Sequence, residues 1–113
     1  MVALERKQVK RVGFMKIGFD FDDTLTTTKG MNIAKLRRSQ GHELFIVSAR
    51  NEVSEEMKSK GAELGIPESK IFATGSNLEK LKKVEALGLK LFYDNNPDVV
   101  KALNDYGIKA VKV

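Results

Sequence analysis

Short apolar runs alternate with amphipathic segments along the chain. The runs at positions 14–20, 43–48, 70–73, 89–93 and 108–113 have the length and composition of buried strands. Apolar residues at helical spacing predict helices over 31–40 and 52–64, a third that Ser76 caps and Gly88 ends, and a fourth over 97–106. The apolar face of the third helix is predicted to contain Leu78, Leu81, Val84 and Leu87. A strict alternation of strand and helix predicts a parallel sheet with helices on both faces.

The expected fold is therefore a three-layer α/β/α domain of the α/β class. It is a Rossmann-like, doubly wound parallel sheet of about five strands, with strand order 3-2-1-4-5. A single domain accounts for residues 14–113. The longest connection, residues 21–30, is predicted to be a loop and is too short for a lid, so we expect no cap domain.

Composition narrows the class of protein. The chain has 113 residues, of which 42% are hydrophobic and 31% charged, as in globular proteins. It contains no cysteine, which excludes disulfides and thiolate zinc sites. No apolar run approaches the roughly 18 residues that a membrane span requires. Because the first residues also lack the apolar centre of a secretory signal, we expect a cytoplasmic location and no membrane partner.

The net charge of +5 is concentrated in the first residues of the chain. Residues 1–16 carry five basic side chains and one acidic one, whereas residues 17–113 are nearly balanced. We interpret residues 1–13 as a basic N-terminal arm. Such an arm is typical of a solvated tail, and it also leaves binding to a nucleic acid open.

Polar side chains follow the predicted strands where those strands end. Strand one ends in Asp20, Asp22 and Asp23, strand two in Ser48, and strand four in Asp94. Lys80 lies in the first turn of the helix after strand three, which opens on the same rim. In doubly wound sheets, ligands bind at the carboxyl ends of the strands. The sequence therefore predicts one site at this rim.

Asp20 and Asp22 flank Phe21, and residues two apart in an extended chain share a face. Together with Asp94 they would form an all-oxygen pocket of the kind that holds Mg²⁺ beside a phosphate. A serine hydroxyl and a lysine ammonium could bind the remaining phosphate oxygens. One carboxylate could then attack phosphorus while the other carries protons, which gives an aspartyl-phosphate intermediate.

At these residues the chain resembles the haloacid dehalogenase-like superfamily. The sequence Asp20-Phe21-Asp22-Asp23-Thr24-Leu25 is similar to its first motif, DxDx(T/V)L. The strand that ends in Ser48 resembles the second motif, and the strand that ends in Asp94 and Asn95 resembles the fourth. The motifs follow one another in the order that the superfamily uses.

The resemblance implies a capless, Mg²⁺-dependent phosphatase and gives each residue a role. Asp20 would be the nucleophile and a metal ligand. Asp22 would protonate the leaving group and then activate water, with its backbone carbonyl on the metal. Thr24 and Ser48 would orient the phosphoryl group and the nucleophile, and Asp94 would be the third protein ligand. Asp23 stands where the family often has glycine, and we expect it to face solvent or to support the loop.

Three assignments stay open in the sequence. Lys80, Lys82 and Lys83 compete for the role of the site lysine, and we favour Lys80 because the first turn of its helix faces the rim. Asn95 replaces the second aspartate that is frequent in the fourth motif, and either Asn95 or Asp98 could complete the metal site. Arg50 could bind the phosphate of a substrate or pair with a surface carboxylate.

Two alternatives to the phosphatase are considered. One is a catalytically weak module that binds phosphate, metal or a partner on the same fold, since fold does not establish function. The other is a phosphorelay receiver-like domain. A receiver needs an aspartate at the end of strand three, where this chain has Ala73-Thr74-Gly75.

The substrate is predicted only as a class. A capless member of this superfamily is suited to a phosphate on a large molecule, such as a protein or a nucleic-acid end, and a nucleotide is also open. Alternatively, a homo-oligomer could supply a neighbouring subunit as the lid.

Overall fold

The computed structural model describes residues 13–113, so the predicted arm lies, apart from Gly13, outside the described residues. The elements are β1 (Lys16–Phe19), α1 (Thr28–Ser39), β2 (Glu43–Ser48), α2 (Glu55–Glu63), β3 (Ile71–Ala73), α3 (Asn77–Ala86), β4 (Leu91–Asp94), α4 (Pro97–Asp105) and β5 (Lys109–Lys112). None of the helices among these residues has the length and apolar character needed to cross a membrane.

The five strands form one parallel sheet in the order β3-β2-β1-β4-β5, which confirms the predicted order. Strand β1 lies at the centre, and its last residue, Phe19, pairs with Ile46 of β2 and Tyr93 of β4. The residues that follow β1 and β4 are therefore brought side by side. Receiver-type folds have the order 2-1-3-4-5, so the observed order argues against the receiver alternative.

Alternating strand residues divide the core between the two faces of the sheet. In β2, Leu44 and Ile46 pack on one face with Met31 of α1 and Met57 of α2. On the other face, the core contains Phe45 and Val47 of β2, Val84 of α3, and Val99 and Leu103 of α4. The sheet is thus covered by helices on both sides, as predicted.

Helix α1 begins earlier than predicted. Residues 28–30 were predicted to belong to the loop, but α1 starts at Thr28. The Thr27 side chain caps it by accepting a hydrogen bond from the Gly30 backbone N–H, with a donor–acceptor distance of 3.0 Å. The helix ends as predicted near Gly41, which has a φ of +88° in the left-handed region that glycine favours.

Leu78 was wrongly assigned to the apolar face of the third helix, since it is 61% exposed. The buried side chains of α3 are Lys80 and Val84. Because Lys80 faces the interior, Leu78 points about 200° away from it around the helix axis, towards solvent. The helix is thus rotated to bring a lysine, rather than a leucine, into the molecule.

Candidate functional site

Three buried charged side chains meet at the carboxyl ends of the central strands. Asp20 follows β1, Asp94 ends β4, and Lys80 comes from the first turns of α3. The Lys80 Nζ donates hydrogen bonds to Asp20 Oδ1 at 2.8 Å and to Asp94 Oδ2 at 3.0 Å. These side chains are 7%, 1% and 4% exposed for Asp20, Asp94 and Lys80. We call these three residues the buried charge cluster.

The buried charge cluster contains two carboxylates and one ammonium group. The pKa of Asp20 is raised to about 6, chiefly by burial and also by the neighbouring Asp94 carboxylate, while Lys80 acts in the opposite direction. At neutral pH, Asp20 is ionised but is a stronger base than an ordinary aspartate. One lysine does not fully compensate two buried carboxylates, so this position favours an additional cation or a proton.

The loop after β1 turns sharply at Asp23. Residues Phe21–Leu25 form a tight turn, in which Asp23 has a φ of +59°. Positive φ is uncommon for residues other than glycine, and aspartate is among those that tolerate it best. The backbone N–H of Asp23 donates to the Thr26 hydroxyl at 2.9 Å, which stabilises the turn. Asp23 is exposed, as the sequence predicted.

Thr24 ties this loop to the nucleophile candidate and to α1. Its hydroxyl donates to Asp20 Oδ2 at 3.3 Å, and its carbonyl accepts a hydrogen bond from the Thr27 hydroxyl at 2.6 Å. A Cβ on Gly30 would lie 1.8 Å from the same carbonyl oxygen, so only glycine permits this approach. The start of α1 therefore fixes the loop that orients Asp20.

Asp22 and Arg50 form a second ion pair at the edge of the site. Arg50 donates from Nε to Asp22 Oδ2 at 2.8 Å and from Nη2 to Asp22 Oδ1 at 2.6 Å. The two side chains are 49% and 37% exposed for Asp22 and Arg50, respectively. The hydrogen bonds from Arg50 hold the pKa of Asp22 below its ordinary value. We call these two residues the outer ion pair.

Ser48 holds the backbone of Arg50 through a hydrogen bond. It is 1% exposed, and its hydroxyl accepts a hydrogen bond from the Arg50 backbone N–H at 3.0 Å. The guanidinium lies over the ring of the buried Phe21, 5.2 Å from its centroid. Ser48 therefore positions the segment that carries Arg50.

These groups surround one open cleft of about 360 Å³. Of the predicted site residues, Asp20, Asp22, Arg50, Lys80, Asp94 and Asn95 line it. Thr24 and Ser48 are buried beside it and do not line it. Asp98 is exposed in the first turn of α4 and does not line the cleft, whereas Asn96 and Pro97 at the start of that helix do.

The three competing lysines have different surroundings. Lys80 is the one that reaches the cleft. Lys82 pairs with Glu79 on the exposed side of α3 at 3.1 Å. The Lys83 Nζ lies 4.8 Å from the centre of the Phe72 ring. The structure therefore favours Lys80 as the site lysine.

Asn77 and Asn96 also line the cleft and were not singled out in the sequence. Asn77 is the first residue of α3, and Asn96 caps α4 by accepting a hydrogen bond from the Asp98 backbone N–H at 2.9 Å. Each follows a strand at the rim where ligands bind. Like Lys80, both residues lie at or near the start of a helix that follows a strand at this rim. An amide side chain at such a position is the sequence signal that identifies them.

Among residues 13–113, no group of three or more histidine, aspartate or glutamate side chains is arranged to hold a metal ion. The aspartates Asp20, Asp22 and Asp94 are instead each paired with a basic side chain. The ammonium of Lys80 lies against both Asp20 and Asp94. Asp22 is paired with Arg50.

Comparisons with known proteins add no family assignment. A scan of the sequence against protein-family models finds no match. A search of curated proteins finds no significant similarity. Function is therefore inferred from the geometry of the cleft and from the motifs of the chain.

Proposed function

We propose that the chain is a Mg²⁺-dependent phosphomonoester hydrolase of the haloacid dehalogenase-like type, with Asp20 as the nucleophile. The observation that carries the proposal is the buried Asp20 carboxylate on the cleft wall, held between Lys80 and the Thr24 hydroxyl. A carboxylate with a pKa of about 6 is ionised at neutral pH and is more nucleophilic than an exposed aspartate. The resemblance of Asp20–Leu25 to the first motif of that superfamily supports the same assignment.

In the first step, an Asp20 oxygen attacks phosphorus and the bond from phosphorus to the leaving oxygen breaks. Asp22 lies two residues from Asp20 at the mouth of the cleft; after taking up a proton from solvent, it would donate that proton to the leaving oxygen. In the second step, Asp22 takes a proton from water, the water oxygen attacks phosphorus, and inorganic phosphate leaves Asp20. Lys80 positions Asp20 throughout and offsets negative charge.

The donor set of the cleft fits Mg²⁺, which prefers carboxylate, carbonyl and water oxygens. Asp20 and Asp94 would hold it, with the backbone carbonyl of Asp22. Asn95, which lines the cleft, is favoured over Asp98 as a further ligand. Two buried carboxylates with one lysine leave an unbalanced negative charge that a cation would neutralise. When bound, Mg²⁺ would supply charge neutralisation for the transferring phosphoryl group.

The open cleft supports a substrate whose phosphate projects from a larger molecule. The connection between β1 and α1 spans only residues 20–27, and none of the described segments forms a lid over the cleft. A protein, a nucleic-acid end and a nucleotide all stay open as substrate classes, as does a lid from a second subunit. The predicted cytoplasmic location also stays a prediction.

The proposal is tested by hydrolysis of a generic aryl phosphate with and without Mg²⁺. We expect Mg²⁺-dependent turnover by the wild-type chain and none by Asp20→Asn, because an amide is a poor nucleophile. Asp23→Asn is the matched control, since it removes a carboxylate from the same cleft and should retain turnover. Wild-type activity in Asp20→Asn would refute the assignment of the nucleophile.

A catalytically weak binding module is the second candidate. It is favoured by one observation, the bidentate hold of Arg50 on Asp22, which keeps the proposed proton carrier occupied. If the folded protein binds Mg²⁺ and phosphate but hydrolyses none of a panel of aryl phosphates, nucleotides and end-phosphorylated oligonucleotides, this second function is the correct one.

A further inference from the structure

We propose that Arg50 binds the phosphoryl group of the substrate, and that Asp22 occupies its guanidinium in the free protein. Phosphate and the Asp22 carboxylate would then compete for the same two N–H groups. This inference rests on the proposed function, because it concerns how a phosphomonoester enters the cleft.

The geometry of the outer ion pair suits such an exchange. Arg50 uses Nε and Nη2 for the two oxygens of Asp22. This pair of N–H groups is one of the two edges of a guanidinium that bind carboxylates and phosphates in a bidentate manner. A phosphate that lies along this edge must therefore displace Asp22.

Arg50 does not depend on Asp22 for its position. Its Nη1 donates to the Ser54 hydroxyl at 3.3 Å, and its backbone N–H donates to the Ser48 hydroxyl at 3.0 Å. Its guanidinium also lies over the Phe21 ring. These three contacts remain when the carboxylate leaves, so the fork stays directed towards the cleft.

Its charge and its exposure make Arg50 the cation that can bind a phosphate in the cleft. Among the residues that line the cleft, Lys80 and Arg50 are the two that are positively charged. Lys80 is held between two buried carboxylates, whereas Arg50 pairs with one carboxylate, that of Asp22. The Arg50 and Asp22 side chains are each more than a third exposed. Exposed ion pairs contribute little to stability, so this pair opens at low cost.

The exchange has a consequence for Asp22. Two hydrogen bonds from Arg50 to the carboxylate break and two from Arg50 to phosphate oxygens form, with no proton or covalent bond transferred. Without Arg50, the Asp22 carboxylate is free to take up a proton from solvent and to turn towards the leaving oxygen. Arg50 would thus connect the arrival of the phosphate to the release of the proton carrier.

Isothermal titration calorimetry with inorganic phosphate, at one fixed Mg²⁺ concentration, tests the competition. The Asp22→Asn variant should bind phosphate about tenfold more tightly than wild type, because its amide holds Arg50 weakly. Asp23→Asn is the matched control: it removes one negative charge from the same cleft without freeing Arg50. The affinity of Asp23→Asn for phosphate should rise by no more than about threefold, because only the repulsion between carboxylate and phosphate is reduced.

The arginine is tested by combining variants. In an Arg50→Gln background, Asp22→Asn should improve phosphate binding no more than Asp23→Asn does. Equal gains for the two variants in the wild-type background, persistence of the Asp22→Asn gain without Arg50, or no phosphate binding by any of the proteins would each overturn the inference. These results do not depend on turnover, so they are separable from failure of the hydrolysis assay.

A second measurement follows the exchange in the wild-type chain and uses Arg50→Gln only as the reference for an unpaired Asp22 carboxylate. The carboxyl ¹³C resonance of Asp22 should move, at saturating phosphate and the same Mg²⁺ concentration, towards its position in Arg50→Gln. A resonance that stays unchanged at saturation would show that phosphate leaves the outer ion pair intact, which contradicts the exchange.

Discussion

The buried charge cluster and the outer ion pair lie in the same cleft and are built from the same kinds of groups, but burial separates their roles. The Lys80, Asp20 and Asp94 side chains are at most 7% exposed, whereas those of Arg50 and Asp22 are 37% and 49% exposed. Burial raises the pKa of Asp20 in the cluster, while the hydrogen bonds from Arg50 lower the pKa of Asp22 in the outer pair. Burial fixes the first set of charges in place and leaves the second set exchangeable.

The energetic contrast follows from desolvation. Removing one partner from a buried set of charges leaves the others without compensation in a medium of low dielectric constant. An exposed pair loses little, because water solvates the remaining charge. The two regions should therefore respond very differently to the loss of their single cation.

Replacement of Lys80 with methionine should give the largest effect, because it leaves two carboxylates buried side by side. We expect the free energy of unfolding at pH 7 to fall by about 3–5 kcal/mol, measured by urea denaturation. Lys82→Met, on the exposed side of the same helix, is the control and should change it by less than about 0.5 kcal/mol. A Lys80→Met variant as stable as this control would mean that the cluster is not buried as described.

Asp20→Asn should relieve the cluster and stabilise the protein in metal-free buffer with a chelator. The pKa of Asp20 is about 6 in the folded chain, above its ordinary value of 3.8, so the folded state binds the proton more tightly than the unfolded state. The wild type thus loses stability as pH rises from about 4 through 6, and the variant lacks this loss. We expect its advantage to reach on the order of 2–3 kcal/mol at pH 7.

Urea denaturation of both proteins at several pH values measures this difference. Asp23→Asn again serves as control, since it removes an exposed carboxylate and its curve should run parallel to that of the wild type. If the curve for Asp20→Asn were also parallel to the wild-type curve between pH 4 and 7, the raised pKa would be wrong.

Arg50→Gln should have the smallest effect on stability, below about 1 kcal/mol at pH 7. The same substitution should weaken phosphate binding, so stability and binding are expected to separate in the outer pair. In the buried charge cluster, by contrast, a substitution should change stability and phosphate binding together. Parallel thermal denaturation and phosphate titration measure this separation, and a loss of several kcal/mol would place Arg50 among the structural residues.

The fold could be predicted from the sequence because its signals are local. Short apolar runs gave the strands, and polar residues after those runs located the rim. The start of α1 was missed because Gly30 looks like a loop residue, whereas it is the glycine that allows the close approach to Thr24. The prediction for Leu78 was wrong because a pattern of apolar residues cannot identify a lysine as buried. The buried Lys80 sets the rotation of the helix and leaves Leu78 exposed.

The residues of the candidate site could be predicted from the sequence, but the ion pairs between them could not. Lys80 was favoured because the first turn of its helix opens on the rim. Its partner Asp20 lies 60 residues away, and Asp22 lies 28 residues from Arg50. Such pairings depend on the registry of the sheet and on side-chain rotamers. The sequence therefore left open whether Arg50 meets a phosphate or a carboxylate, and the structure shows the carboxylate.

The assignment of Asp20 as the nucleophile is tested by trapping the covalent intermediate. Asp22→Asn should form the acyl phosphate from an aryl phosphate, whose good leaving group needs no acid, and should hydrolyse it slowly because water lacks its base. Reduction of the quenched protein with borohydride followed by peptide mass spectrometry should then reveal homoserine at position 20. We expect this product with substrate and Mg²⁺, and its absence in an Asp20→Asn/Asp22→Asn protein. Homoserine at another aspartate, or none at position 20 in an Asp22→Asn protein that still releases phosphate, would contradict it.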